Sequence, residues 1–151
     1  ISENIWERFL SQDMVDNSEV SQLEQRFHPA YRVAILTAQN GQIPTIQYVK
    51  GCLEKSGIAL RTYIDRNEHL LILYYDLSKG PSDKAEIDIL KELKRYSERY
   101  DLFCGLSDKF YHLVYGPVAR LQANISIEIG SRQAGNDHIF DFRSLYKGGT
   151  L

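Results

Sequence analysis

The chain has 151 residues, 43% of them hydrophobic and 25% charged, which is the size and mixture of one globular domain rather than of a disordered or fibrous segment. Its 18 Lys and Arg stand against 20 Asp and Glu, a formal net charge of -2 with neither sign gathered into a block. That balance excludes the positive surplus by which nucleic-acid-binding domains displace counterions. No apolar run approaches the roughly 20 residues that span a bilayer, and no basic stretch followed by an apolar one opens the chain, so the expected location is cytoplasmic with no membrane partner.

In chain order, residues 2 to 27 carry Ile5, Phe9, Val20, Leu23 and Phe27, whose spacings of three and four fit one or two amphipathic helices broken at SQDMVDNS. Asp16, Asn17 and Ser18 are N-cap candidates for the second helix, and His28 with Pro29 ends it, since a residue before proline avoids the α region. YRVAILTA, 31 to 38, is apolar and rich in strand formers, as expected of a buried strand. After a turn at Asn40 and Gly41, Ile43, Ile46, Val49 and Leu53 recur at helical intervals over 43 to 55, with Gly57 as the C-cap.

YIDRNEHLLILYYDL, 63 to 77, reads as a hairpin with arms at about 59 to 64 and 69 to 77; the nearly continuous apolar character of the second arm predicts the more central strand. Pro81 breaks that strand, Asp83 and Glu86 can form a capping box, and Ile89, Leu93, Tyr96 and Tyr100 mark one face of the next helix. LFCGLS, 102 to 107, predicts a further strand. Pro117 opens a long helix whose expected buried stripe is Val118, Leu121, Ile125 and Ile129; Gly135 and Asn136 end it, and HIFDF, 138 to 142, is the last strand.

The order is thus helices, then β, α, β, β, α, β, α, β, without repeat or internal linker. A hairpin flanked by strand-helix crossovers predicts an α/β (α+β) sandwich: a mixed sheet of about five strands with helices packed on it, built like a polymerase palm or a ferredoxin-like domain and preceded by an N-terminal helical segment.

Three stretches in the C-terminal third carry a more specific signal: CGLSDKFYHL, VARLQANISIEIGSR and HIFDF, a glycine-serine strand end, a helix containing QA and a closing strand. Over about residues 30 to 145 this pattern resembles the degenerate GGDEF-like domain of bacterial transcriptional regulators of the PucR and CdaR type, a relative of the diguanylate cyclase fold. The resemblance implies a division into an N-terminal helical connector at 1–29, a GGDEF-like domain at 30–147 and the start of a linker at 148–151. It further implies a flanking sensor, a DNA-binding helix-turn-helix outside this chain and a homodimer formed through this domain or its N-terminal helices. The start at Ile1 and the end at KGGTL suggest in the same way a segment of a longer polypeptide.

A cyclase needs two glycines in its hairpin so that backbone can approach nucleotide phosphates, followed by acids, and two-metal phosphoryl transfer needs carboxylates to hold Mg²⁺. With LLIL, 70 to 73, on the second arm, the signature falls on Asp65, Arg66, Asn67, Glu68 and His69. Asp65 and Arg66 replace the glycines, Asn67 replaces the first acid, and only Glu68 remains; Thr37 and Ala38 stand where the first strand would end in a metal-binding aspartate. Asp76, at a strand end, reads as a solvated cap or turn residue rather than a ligand.

Other chemistry is poorly supported. His28, His69, His112 and His138 form no spaced ligand motif, GLSDK lacks the second glycine of a nucleophile elbow, and no GxGxxG or GxxxxGK[ST] occurs. Cys52 and Cys104 read as two free thiols, with a single disulfide as the alternative, and the ten tyrosines read as packing residues rather than a base-stacking platform. The expectation is therefore no catalytic residue, metal or cofactor, and a non-catalytic signal-transmission and dimerisation module with Ile5, Trp6 and Phe9 as the candidate interface. The alternative is a nucleotide-binding or diguanylate-cyclase-like domain with a degenerate site.

Overall fold

The computed structural model describes residues 30–39, 43–77, 84–133 and 135–147, together with Leu10 and Ser18. The elements run β1 (Ala30–Ala38), α1 (Ile43–Glu54), β2 (Leu60–Ile64), β3 (Leu70–Leu77), α2 (Lys84–Tyr100), β4 (Leu102–Leu106), a 3₁₀ turn (Leu113–Tyr115), α3 (Gly116–Gly130), β5 (Ile139–Asp141) and α4 (Phe142–Lys147). The sheet order is β2-β3-β1-β4-β5, antiparallel throughout except for the parallel β4/β5 pair. The first six elements, β1 to β4 with α1 and α2, have the connectivity of a split βαβ unit, to which α3 and β5 add one more crossover and an edge strand.

Strand and helix boundaries fall within two residues of the sequence reading for β1 through β4, and β3 lies inside the sheet, as its continuous apolar character requires. Gly57 adopts a φ of +80° just beyond α1, the left-handed geometry in which a glycine avoids the Cβ penalty. Of the expected helices over 2 to 27 only Leu10 and Ser18 are described, both helical; the rest, with the interface residues Ile5, Trp6 and Phe9, lies outside the described residues, as does Asp83 of the expected capping box.

Alternation along the strands divides the core into two. Ala34, Leu36, Leu70, Ile72, Tyr74 and Cys104 face α1 and α2, meeting Ile46, Val49, Leu53, Ile89 and Leu93. Val33, Ile35, Leu71, Leu73 and Tyr75 face the opposite way, toward α3 and Leu10. Tyr74 and Tyr75 accordingly enter different cores, as consecutive strand residues must. Each large aliphatic side chain so enclosed contributes roughly 1.5–3 kcal/mol relative to exposure.

α3 corrects the sequence reading. The residues it buries are Gly116, Ala119, Ala123, Ser126 and Gly130, all small. Val118 and Leu121, expected in the core, are 51% and 58% exposed, while Ile125 and Ile129 are half-buried. The reason is the close approach of helix and sheet: a Cβ on Gly105 of β4 would run into the Ala123 carbonyl oxygen and lie 2.8 Å from Ile127 Cγ1, and one on Gly130 would overlap the Phe140 ring. Only the small stripe fits at that separation, so the large stripe is turned away. The helix ends at Gly130, five residues before Gly135, and the chain then reaches a β5 shorter than the expected strand, since Phe142 already belongs to α4.

Candidate functional site

The register puts three features at one end of the sheet. Leu36 pairs with Leu70, and Leu70 with Ile64, so the hairpin tip 65–69 lies beside the C-terminal end of β1 with Thr37 and Ala38. Asp101 and His138, which precede β4 and β5, are at the same end; Gln39 Nε2 donates to Asp101 Oδ1 at 3.2 Å, and His138 Nδ1 lies 2.9 Å from the Leu102 carbonyl oxygen. Asp65, Arg66, Asn67 and Glu68 thus form the tip of the β2–β3 hairpin.

The tip is closed on itself. Asp65 Oδ1 accepts the backbone N–H groups of Asn67 and His69, both at 2.9 Å. The Glu68 N–H donates to the Asp65 carbonyl oxygen and the Asp65 N–H to the His69 carbonyl oxygen, each at 3.0 Å. This is an Asx-turn, in which a short carboxylate substitutes for a backbone acceptor. Glu68 takes a φ of +64°, a conformation a glycine would adopt without strain. A phosphate-cradling loop needs free backbone N–H groups pointing outward; here those of Asp65, Asn67, Glu68 and His69 are already engaged. No group of three or more His, Cys, Asp and Glu converges as a metal site among the described residues.

The opposite end of the sheet holds a buried charge that the sequence reading missed. Arg32, in the second position of YRVAILTA, is 0% exposed. Its Nη1 is 2.5 Å from Glu86 Oε1, its Nη2 2.5 Å from Asp141 Oδ2, and its Nε donates to the Ser107 carbonyl oxygen at 2.6 Å. Burial works to lower the Arg32 pKa, but Tyr74, Asp141 and Glu86 outweigh it and hold the pKa raised. Burial likewise works to raise that of Asp141, and the Arg32 and Arg143 contacts overcome it, leaving the carboxyl below its usual value. The period-two alternation carried the signal: Ala30, Arg32, Ala34 and Leu36 share one face, and a cation enclosed there requires carboxylate partners. With each nitrogen facing an acceptor from α2, from β5 or from Ser107 just beyond β4, Arg32 ties these segments to β1 and has little left to offer a ligand.

Ser107 is also buried, its hydroxyl accepting the Val33 N–H at 2.9 Å and donating to the Asp108 carbonyl oxygen at 2.8 Å. The hydroxyl thus ties the turn after β4 to β1. Cys52 and Cys104 are free thiols, and burial pushes the Cys104 pKa up to about 12, which keeps it protonated and unreactive near neutral pH.

Beyond Ser107 the loop is pinned to β1 by reciprocal backbone bonds between Tyr31 and Phe110, at 2.8 and 2.9 Å, and by stacking of their rings at 5.6 Å. A cleft of about 550 Å³ opens next to it, lined by Asp108 to His112 and by Tyr115, Val118, Ala119 and Gln122. It is continuous with the exposed side of α3.

Fold and sites together define a layered α/β domain on a split βαβ sheet, with a self-closed hairpin at one end and an apolar cleft toward the other. No helix among the described residues is long and apolar enough to cross a membrane. No protein-family model matches the chain, and no curated protein matches it.

Proposed function

We propose that this is a non-catalytic regulatory module, a degenerate GGDEF-like domain of palm type that transmits a signal and supports dimerisation within a cytoplasmic PucR- or CdaR-type transcriptional regulator. DNA contact in such a protein belongs to a helix-turn-helix outside this chain. The observation that carries the reading is the hairpin tip. It occupies the sheet end where a cyclase holds its nucleotide, beside Thr37 and Ala38 in place of a metal-binding aspartate, yet the Asp65 carboxylate and four backbone N–H groups are consumed by the turn itself. A turn that binds its own backbone in this way offers no cradle of outward-pointing backbone N–H groups for a phosphate, which supports a loop without the cyclase's phosphate-binding role.

Isothermal calorimetry of the chain against GTP and cyclic di-GMP, each with Mg²⁺, tests this. Flat titrations are expected. A saturable heat that Glu68→Ala removes would replace the module reading with that of a nucleotide-binding domain.

A further inference from the structure

We propose that the outer face of α3 is the surface on which a second copy of this chain packs, through a two-fold contact centred near Val118. A helix that is apolar on both sides is ordinarily an interior element. α3 already spends its small stripe on the sheet, and Val118 and Leu121 of its large apolar stripe stand in solvent, with Ile125 half-buried beside them.

The stripe has the form of a helix-packing seam. Within α3, Val118, Leu121 and Ile125 follow one another at intervals of three and four, the spacing that keeps one line of side chains toward a partner helix, and Val114 stands just before them in the 3₁₀ turn. Tyr115 of the 3₁₀ turn and Tyr111 just before it extend the patch, and both are more than half exposed. Tyr111, Val114, Tyr115, Val118 and Leu121 are each about half exposed, which together leaves on the order of several hundred Å² uncovered, within the roughly 300–600 Å² that a monomer shows as its largest apolar patch. A standard interface takes about 800 Å² from each partner, of which somewhat more than half is apolar, so the exposed stripe matches the apolar share of one such half-interface.

Charge decides the partner. Residues 110–125 contain one arginine and no lysine, aspartate or glutamate, and that Arg120 donates through Nη1 to the Leu10 carbonyl oxygen at 3.1 Å. Within this stretch there is no basic stripe for phosphates and no basic flank for an anionic lipid surface; the neighbouring Lys109 is offset by Asp108. An apolar, tyrosine-bearing patch with one acid and one base, Asp108 and Lys109, in the lining of its cleft fits a protein surface of the same character, and the patch is complementary to itself. The ridge of Val114 and Leu121 runs beside the cleft formed by Phe110, Tyr115, Ala119 and Gln122. A two-fold axis near Val118 seats the Leu121 of each copy in the cleft of the other, the isologous arrangement of most dimers. A net charge of -2 per copy opposes this only weakly.

The inference deepens the module reading, since it locates the dimer contact which that reading requires; it differs from the N-terminal contact at Ile5, Trp6 and Phe9. Sedimentation equilibrium of the chain from about 1 to 300 μM spans the weak to moderate affinities of such a contact. The expected result is a monomer-dimer equilibrium whose Kd rises about ten-fold or more in Leu121→Asp, with the thermal midpoint of the dilute monomer unchanged. In a Cys52→Ser background, Val118→Cys should form an intermolecular disulfide under mild oxidation. A chain that stays monomeric to the highest concentration overturns the proposal, as does a dimer that is insensitive to Leu121→Asp and gives no Val118→Cys cross-link. The second of these results leaves the module reading standing, whereas a saturable response to Mg²⁺ and nucleotide removes that reading and leaves the α3 contact untouched.

Discussion

Helices α2 and α3 lie on opposite faces of one sheet and are similar in length, 17 and 15 residues, but they distribute their side chains in opposite ways. α2 turns Ile89, Leu93 and Tyr96 inward and presents Lys84, Lys91, Lys94, Glu98 and Arg99 to solvent. α3 turns glycine, alanine and serine inward and presents valine and leucine. The first helix turns its large residues into the core; the second sits so close to the sheet that Ile127 alone of its large residues packs against the core cluster, and Val118 and Leu121 are left outside it. The cores differ in charge as well, because the buried Arg32, Glu86 and Asp141 cluster is on the α2 side.

The largest expected effect is on the α2 side. Leu93→Ala removes a fully buried leucine and should cost about 3 kcal/mol in urea denaturation. On the α3 side the damaging change is the reverse one, addition of volume. Gly105→Ala forces a methyl against the Ala123 carbonyl oxygen and should cost about 2–3 kcal/mol by the same measurement.

Acid sensitivity should also sort by face. The pKa of Asp141 is lower in the folded than in the unfolded chain, so the stability it supplies is complete above the unfolded value of about 3.9 and disappears as pH falls from there through the folded value. Asp141→Asn should remove that part of the pH profile and cost about 2 kcal/mol at neutral pH, because Arg32 loses one of its two carboxylates. Equilibrium unfolding from pH 3 to 7 reads both effects. Glu68→Gly, away from both helices, should raise stability by about 0.5 kcal/mol by relieving a left-handed φ, a change visible as a small rise in Tm.

Most of the sheet was legible in the sequence. β1 and β3 announce themselves by length and strand formers, and the hairpin by four polar residues between two apolar arms. α3 was not legible by periodicity, since Gly116, Ala119, Ala123, Ser126 and Gly130 recur at the same three- and four-residue intervals as Val118, Leu121 and Ile125. Hydrophobicity favours the larger stripe, whereas the distance between helix and sheet, set by Gly105 and Gly130, selects the smaller. Arg32 went unseen for a different reason: YRVAILTA reads as apolar on average, and its partners Glu86 and Asp141 are 54 and 109 residues away in the chain. The hairpin tip was located correctly, but that its backbone donors are consumed by Asp65 follows from hydrogen bonds no residue pattern specifies.

The contrast between the two helices is tested most directly by measuring Leu93→Ala and Leu121→Ala side by side in urea denaturation, at low micromolar concentration where the chain is monomeric. Both changes delete the same atoms from a leucine on a helix of the same sheet. A loss of about 3 kcal/mol for Leu93→Ala with less than about 0.5 kcal/mol for Leu121→Ala is the predicted result. Equal losses would place Leu121 in the monomer core and contradict the account.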